Sequence, residues 1–371
     1  MDDKHLDELL GELKDNYNRL PEYADTNNIM SELPTKKQKK RRLHIIPLVA
    51  IINWNQSRNN WTIKPEWITF SNGVVTSLHM AVQAFTKPKD KVLIQTPVYP
   101  PFYNVIEAHD RELVKNELQY EDDSYKINFE DFEAKLKSGV KAFILCSPHN
   151  PVGRLWKKEE LEEIARLCIK YDVVIISDEI HGDLALPGQN YIPIASLSEE
   201  IANQTVTCTA ASKTFNLAGL DASYVVTSDE EKRKALETAF EKQGFHNMLN
   251  TMGNIATEAA YTHGAEWLDE LKELLQSHYE FVKETFEKHA PEIKVIKPEA
   301  TYLLWLDCSA LGLDPKELND FFVKEAQVGL NAGLDYGEEA GQFMRMNIGC
   351  PRETLEEAVN RIVRAVYYIR K

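Results

Sequence analysis

Apolar runs alternate with amphipathic helical stretches over the first half of the 371-residue chain, and this alternation constrains the fold most. The strand-like runs lie at 68–70, 91–95, 141–147, 173–179 and 205–210. Helical periodicity is found between them at 75–85, 129–139 and 157–171. Strands that are apolar throughout and are joined by helices are typical of a mainly parallel sheet buried on both faces. We therefore predict an α/β fold whose large sheet is sandwiched by helices.

The pattern changes after about residue 250. A long helical stretch at 257–290 precedes strand-like and helical segments at 292–298, 301–307, 314–326, 343–349 and 352–371. This order is typical of a smaller α+β domain. The predicted organisation is therefore an atypical N-terminal segment (1–50), a large domain (51–250) and a small C-terminal domain (251–371).

Composition favours a small-molecule partner. The net charge is −15, so the chain as a whole is not expected to bind nucleic acid or an anionic membrane. The basic stretch 35–44 follows a predicted amphipathic helix at 2–17, and we interpret it as a solvated loop or helix face. No apolar run approaches the ~18 residues of a membrane span. The five scattered cysteines, without a CxxC pair, indicate reduced thiols in a cytoplasmic protein.

Polar residues and a tight turn fall where strands should end. Asn150 follows the strand at 141–147, Asp178 ends the apolar run 173–177, and Lys213 follows the strand at 205–210. The segment 73–75 lies where a strand turns into a helix. Right-handed crossovers bring the C-terminal ends of parallel strands to one edge, so we expect these groups to meet there. Taken singly, Asn150 could be an ordinary turn residue and Asp178 a helix cap. Lys213 could be a surface lysine, and Gly73 could be part of a tight turn.

The segments that contain these residues resemble a known enzyme family. SNGVV, PVYPPFY, SPHNPVGR, SDEIH, SKTFNLAGL and FMRMNIG are together similar to motifs of the fold-type-I pyridoxal phosphate (PLP) enzymes. The similarity is greatest to the C-S lyase branch of the aminotransferase superfamily, the MalY/PatB-type cystathionine β-lyases, and it extends from about Trp54 to the C-terminus. The resemblance implies a PLP-transferase fold, a PLP cofactor, an amino-acid substrate and a homodimer with active sites at the interface.

The resemblance implies a role for each residue near the cofactor ring. Lys213 would form the Schiff base with PLP and then act as general base at the substrate Cα. Asp178 would pair with the pyridine nitrogen and keep it protonated. Asn150 and His181 would contact the phenolic oxygen, and Tyr99 would stack on the ring. His181 could instead be a histidine satisfied by local packing, and Tyr99 a plain core residue.

The resemblance also implies groups for the phosphate and the substrate. Gly73 and the backbone N–H groups of Val74 and Val75, at a helix N-terminus, would hold the phosphate, and Ser212 could add a hydroxyl. Arg345 would grip the substrate α-carboxylate with its guanidinium fork; the alternative is a surface arginine.

Asp221 bears on the choice of reaction. Transaminases of this fold usually have an arginine eight residues after the Schiff-base lysine, paired with the phosphate, and here that residue is Asp221. We expect its carboxylate to point elsewhere or to reach the phosphate through water. The C-S lyase branch also lacks that arginine, so we predict α,β-elimination of cystathionine or related cysteine S-conjugates to pyruvate, ammonia and a thiol, which is homocysteine from cystathionine.

The N-terminal region departs from the family pattern. Relatives have a stretch like LPMWVADMDF and a Gly-Tyr pair before the segment that matches INWNQSRNNW, and this chain has neither. The resemblance therefore begins near Ile51, and residues 1–50 could reflect an altered reading frame or a divergent gene start. Two alternatives stay open: an aminotransferase of the same fold, and a PLP-binding but catalytically impaired regulatory protein.

Overall fold

The computed structural model describes residues 45–245 and 247–369, so the helix expected at 2–17 and the basic stretch 35–44 lie outside the described residues. The helices are α1 (Ile45–Asn59), α2 (Val74–Phe85), α3 (Pro101–Ala108), α4 (Phe129–Lys137), α5 (Lys158–Lys170), α6 (Glu199–Gln204), α7 (Ala211–Thr214), α8 (Glu230–Lys242), α9 (Thr251–His263), α10 (Ala265–His289), α11 (Pro315–Asp320) and α12 (Arg352–Ile369). The strands are β1 (Ile68–Ser71), β2 (Lys91–Thr96), β3 (Glu112–Glu117), β4 (Gln119–Glu121), β5 (Ser124–Lys126), β6 (Val140–Cys146), β7 (Val174–Asp178), β8 (Thr205–Thr209), β9 (Ser223–Val226), β10 (Lys294–Val295), β11 (Leu303–Asp307), β12 (Asn331–Ala332) and β13 (Phe343–Asn347).

A seven-stranded sheet forms the centre of the fold, in the order β1-β9-β8-β7-β6-β2-β3. Strand β9 is antiparallel to both neighbours, β1 and β8, whereas the pairs from β8 to β3 are parallel. Strand β1 consequently runs in the same direction as β8. The predicted mainly parallel α/β sheet is confirmed.

Both faces of this sheet are covered by helices. Ala142 and Ile144 of β6 pack in one apolar cluster with residues of α2 and α8. Phe143 and Leu145 of the same strand pack in a second cluster with residues of α4 and α5. Since side chains alternate along a strand, a sheet covered on both faces needs apolar residues at successive positions, as β6 has. The edge of the sheet where strands end is then the natural place for polar groups.

A second, four-stranded sheet has the order β10-β11-β13-β12 and is antiparallel throughout. It is flanked by α10 and α12, which contact each other, so the α+β character predicted for the C-terminal part is confirmed. Both sheets lie within one compact unit, Pro47–Lys371. The domain boundary expected near residue 250 stays a prediction.

The helical stretch expected at 257–290 is two helices, α9 and α10, which are separated at Gly264. A β-carbon at this position would lie 2.3 Å from Cε1 of Phe215 and 2.4 Å from the carbonyl oxygen of Ala260. The chain passes too close to Phe215 for any larger residue, and the helical path is interrupted there. Periodicity alone does not reveal this break, because both helices share the same apolar spacing.

Candidate active site

One cavity of about 520 Å³ opens where β1, β6, β7 and β8 end and where β13 faces them. All the residues for which the sequence predicts a role line it: Gly73, Val74, Val75, Tyr99, Asn150, Asp178, His181, Ser212, Lys213 and Arg345. The edge where polar groups were expected to meet is therefore a single site, and the individual roles remain predictions.

The first turn of α2 forms one end of the cavity. Gly73 is the residue before the helix, and its φ of 122° is a backbone conformation that L side chains rarely adopt. Its own N–H donates to Oγ of Ser223 at 2.8 Å. The N–H groups of Val74 and Val75 lie in the first helical turn, where no intrahelical acceptor exists, so they face the cavity as donors for an anion.

Asp178 ends β7 and is 5% exposed. Burial raises the pKa of its carboxyl to about 7, although the N–H of Ile180, which donates to Oδ1 at 3.2 Å, and the charge of Lys213 act in the opposite direction. Within residues 45–245 and 247–369 no cation forms an ion pair with this carboxylate. A buried carboxylate without a cationic partner fits a ligand that brings a protonated nitrogen.

Lys213 lies in the short helix α7, directly after β8. The residue before this helix, Ala210, gives it no side-chain cap, and four residues are too few for a helix to be stable by itself. Ser212 and Lys213 are half-buried and line the cavity, while Thr214 is 1% exposed. The position of the Lys213 amine therefore depends on tertiary contacts of this turn.

Arg345 reaches the cavity from the second sheet. Its Nη1 donates to Oδ1 of Asn150 and its Nη2 to Oδ1 of Asn331, each at 2.9 Å. The guanidinium lies over the ring of Tyr336, 4.9 Å from its centre. Its buried Nε finds no hydrogen-bond partner in the described part of the chain. The fork is thus held between neutral acceptors and keeps its charge for an anionic ligand.

His181 is buried and is held neutral. Burial, followed by the charges of Lys213 and Arg345, lowers the pKa of this imidazole to about 3. Its Nδ1 has no hydrogen-bond partner among the described residues, and its ring stands edge-on to Tyr302 at 5.8 Å. A neutral ring with an unused nitrogen can donate to or accept from a ligand in the cavity.

Tyr99 follows the cis Thr96-Pro97 bond after β2 and is half-buried. Burial and the nearby charge of Asp178 raise the pKa of its phenol, whereas Arg345 lowers it. The ring makes an edge-to-face contact with Phe102, and its hydroxyl stays protonated at neutral pH.

Sequence reasoning missed several residues that line the cavity, listed here together: Asn72, Thr76, Cys146, Ile180, Ala218, Ala222, Tyr302, Leu303 and Asn347. Asn72, Ile180, Ala218 and Asn347 lie inside the quoted motifs but were given no role, and Thr76, Cys146 and Ala222 lie within two residues of a motif. Tyr302 and Leu303 belong to the strand segment TYLLWLD, whose approach to the cavity no local pattern indicates. Asp221 lines the same cavity, in the left-handed conformation with φ 45°.

Comparison with known proteins shows the family of the chain. The family model for aminotransferase class I and II matches residues 34–362, and the chain belongs to this family. The match reaches further towards the N-terminus than the start near Ile51 that the motifs predict.

Among curated proteins, the chain is 45% identical to cystathionine beta-lyase PatB of Bacillus subtilis (strain 168). The alignment extends over 318 residues and covers 85% of this chain and 82% of that protein. It is 31% identical to protein MalY of Escherichia coli (strain K12), and the alignment covers 87% of this chain and 82% of that protein. The predicted resemblance to the MalY/PatB-type lyases is confirmed.

Solved structures show the same fold. Cystalysin from Treponema denticola, which contains pyridoxal 5'-phosphate, superposes with a TM-score of 0.85 at 35% identity, covering 87% of this chain and 82% of that one. The PLP-bound C-S lyase from Staphylococcus hominis superposes with a TM-score of 0.81 at 31% identity, covering 86% of this chain and 82% of that one. The fold-type-I prediction is thereby confirmed.

The described residues fit PLP as a cofactor. The cavity has anion donors at Val74 and Val75, an amine at Lys213, and a buried carboxylate at Asp178 that lacks a cation. The phosphate, aldehyde and pyridine nitrogen of PLP need these three kinds of group. The cavity also contains His181, whose Nδ1 has no hydrogen-bond partner among the described residues.

Proposed function

We propose that the protein is a PLP-dependent carbon–sulfur β-lyase that cleaves cystathionine or related cysteine S-conjugates. The observation that supports this most directly is the single cavity shared by Lys213, Asp178 and Arg345. The amine, the carboxylate and the guanidinium come from three distant parts of the chain, and each suits one part of an amino acid bound to PLP.

Arg345 determines the orientation of the substrate. Its fork binds the α-carboxylate, since a guanidinium makes parallel hydrogen bonds to a planar anion. Asn150 and Asn331 accept hydrogen bonds from the two terminal nitrogens of the guanidinium and thus fix its plane. Arg345 and Lys213 line the same cavity, so a carboxylate held at Arg345 keeps the rest of the amino acid in the cavity that contains the lysine.

Lys213 moves the protons. When bound, PLP supplies an electron sink for the electron pair that is left at Cα. The free ε-amine of Lys213 takes the Cα proton, and the resulting ammonium can protonate the sulfur that leaves Cβ. Asp178 supplies a negative charge beside the pyridine nitrogen, which keeps that nitrogen protonated. Water then releases ammonia, so one cystathionine and one water yield homocysteine, pyruvate and ammonia.

An aminotransferase is the second candidate, and Asp221 weighs against it. A transaminase of this fold would use an arginine at this position for the phosphate, whereas an aspartate that lines the cavity repels an anion. Two curated relatives, at 45% and 31% identity, are named cystathionine beta-lyase, whereas a solved structure at 44% identity is described as a putative aminotransferase.

The test is release of pyruvate from cystathionine by the PLP-loaded protein, without any 2-oxo acid. We expect pyruvate and free thiol in equal amounts, and no turnover by Lys213→Ala, whose visible absorbance band should also disappear. Strict dependence on a 2-oxo acid would support the aminotransferase instead. A band that is lost in Lys213→Ala, together with no turnover of cystathionine by the parent, would support a passive PLP-binding protein.

We also propose a homodimer located in the cytoplasm. Met248, Met252 and Ile255 are all more than half exposed, and α9, which contains the last two, packs against Ala222 of the cavity wall through Gly253. An apolar surface next to the cavity is where a second copy would complete the site. Sedimentation of parent and Met252→Glu tests this assembly: the parent should be a dimer and the variant should dissociate.

The cytoplasmic location is supported by the thiols. All five cysteines are unpaired, and all except Cys350 are buried. None of the helices in residues 45–245 and 247–369 combines the length and apolarity that crossing a bilayer requires. Fractionation of the cells that make the protein tests the location, and recovery in the membrane or secreted fraction would contradict it.

A further inference from the structure

Asp183 connects two turns of the site, although it does not line the cavity. It lies in the 3₁₀ turn Gly182–Leu184, which begins directly after His181. One carboxylate oxygen, Oδ2, accepts a hydrogen bond from Oγ1 of Thr214 at 2.9 Å. The turn that contains Asp178 and His181 is thereby joined to α7, which contains Lys213.

The other oxygen of Asp183 joins the same pair of turns to α1. Oδ1 accepts from Nε1 of Trp54 at 2.8 Å. The Trp54 side chain is 3% exposed, stacks on Tyr261 at 5.0 Å and meets the edge of Phe215 at 5.7 Å. Since Phe215 directly follows α7, Trp54 braces the Lys213 turn through both the carboxylate and the ring contact.

The charges around Asp183 are consistent with a fixed, hydrogen-bonded carboxylate. Burial raises the pKa of Asp183, whereas the hydrogen bonds from Trp54 and Thr214 and the charges of Arg58 and Lys272 lower it. Arg58 itself lies over the Trp54 ring, 5.5 Å from its centre, and pairs with Asp269. Each carboxylate oxygen of Asp183 thus accepts a hydrogen bond from one side-chain donor, Trp54 or Thr214.

We propose that Asp183 is a positioning residue for Lys213. It fastens the lysine turn to the turn of Asp178 and His181, and to Trp54 of α1. Helix α7 has four residues and no side-chain cap, so these contacts determine where the ε-amine stands relative to Asp178. Helix α1 begins within the segment 1–50 that departs from the family pattern, so this route joins Lys213 to the part of the chain where that departure ends.

The proposal rests on the proposed role of Lys213, and it is tested by removing one hydroxyl. Thr214→Val keeps the side-chain shape and removes the donor to Asp183. We expect the pH midpoint of the bound cofactor's visible absorbance to move by about half a unit or more. We also expect kcat to fall about tenfold with KM little changed, because a misplaced lysine affects proton transfer more than binding.

Three further variants separate positioning from general stability. Thr214→Ser and Asp183→Asn should behave like the parent, since both can keep the hydrogen bonds: an asparagine can accept from Trp54 and donate to the Thr214 hydroxyl. Trp54→Phe removes the indole N–H together with part of the ring that contacts Tyr261 and Phe215, and should move the midpoint in the same direction as Thr214→Val. The matched control is Thr207→Val, because the buried Thr207 hydroxyl has no partner among the described residues.

The outcomes are distinct from those for the proposed function. An absorbance band that persists in Lys213→Ala would overturn the proposed role of Lys213, on which this inference rests. If that band is lost as expected, a Thr214→Val protein with the parent's midpoint and kcat would overturn the role of Asp183 alone. Should Thr214→Val not fold, Trp54→Phe decides: an unshifted midpoint contradicts the proposal and a shifted one supports it.

Discussion

Arg345 of β13 donates a hydrogen bond from Nη1 to Oδ1 of Asn150, 2.9 Å away, in the turn after β6. The contact joins the second sheet to the edge of the large sheet. It also fixes the amide orientation of Asn150, whose NH₂ group then faces away from the guanidinium. The hydrogen bond thus orients both side chains before a ligand binds, and both line the cavity.

Replacing Arg345 by lysine should weaken substrate binding more than it slows the reaction. A lysine keeps the charge, but it loses the planar fork and the paired contacts to Asn150 and Asn331. We expect KM for cystathionine to rise about 10- to 100-fold, with cofactor absorbance unchanged. Steady-state kinetics of Arg345→Lys measure this. Arg361→Lys, an exposed arginine paired with Glu357, is the matched control and should leave KM unaltered.

Asp178 should make the cofactor-free protein less stable as the pH rises. Its carboxyl has a pKa of about 7 in the fold against an ordinary 3.8. Between these values the folded chain binds more protons than the unfolded one, so the free energy of unfolding falls with rising pH. Asp178→Asn has no such proton. The free energy of unfolding of the variant, relative to that of the parent, should therefore rise by about 2–3 kcal/mol between pH 5 and pH 8.

Urea unfolding of the cofactor-free proteins at both pH values measures this difference. Glu179 also has a pKa raised to about 7 by burial, but it titrates in parent and variant alike, so most of its effect cancels. A stability difference that is constant from pH 5 to pH 8 would show that Asp178 is not the group that titrates.

The strand ends could be predicted from the sequence because each is marked locally. Asn150, Asp178 and Lys213 each follow an apolar run, and parallel pairing places the ends of such runs on one edge. The antiparallel strand β9 and the polar strand β3 were not predicted. Strand β9 has four residues, and the first two residues of β3 are exposed, so neither has a distinctive pattern.

The parts of the site that come from the second sheet could be predicted only by family resemblance. Asn331 stands beside Arg345 because β12 pairs with β13, a register that tertiary packing sets. Asp183 was given no role from the sequence, and its partners Trp54 and Thr214 are 129 and 31 residues away. Local periodicity contains no information on contacts at such separations.

His181 should remain uncharged throughout the working pH range. Burial and the charges of Lys213 and Arg345 lower the pKa of its imidazole to about 3, so it binds no proton between pH 5 and pH 8. NMR of the protein with labelled histidine measures this, and His181→Gln assigns the resonance. A His181 titration midpoint between pH 5.5 and pH 7 would contradict the prediction.

Gly264→Ala should destabilise the protein. The added methyl would lie 2.3 Å from Cε1 of Phe215 and 2.4 Å from the carbonyl oxygen of Ala260, and the second atom belongs to the backbone and cannot move away easily. We expect a loss of about 1–3 kcal/mol in the free energy of unfolding, measured by urea denaturation. Gly329→Ala is the control, because no heavy atom lies within 4 Å of its added methyl. Equal stabilities of the two variants would be inconsistent with this packing.

Asp221 should weaken the binding of phosphate at the N-terminus of α2. Both line one cavity, and a carboxylate near an anion raises the free energy of the bound state. Asp221→Asn removes the charge, and asparagine tolerates the left-handed backbone at φ 45°. Inorganic phosphate should therefore bind the cofactor-free variant about threefold or more tightly, as measured by the rise in Tm with phosphate concentration. High salt should shrink the difference, because it screens the repulsion.

Asp172→Asn is the matched control for Asp221→Asn. Asp172 is exposed and also has a positive φ, 53°, and its neutralisation should leave phosphate affinity unchanged. Unchanged or weaker phosphate binding by Asp221→Asn would mean that the Asp221 carboxylate does not act on the phosphate position.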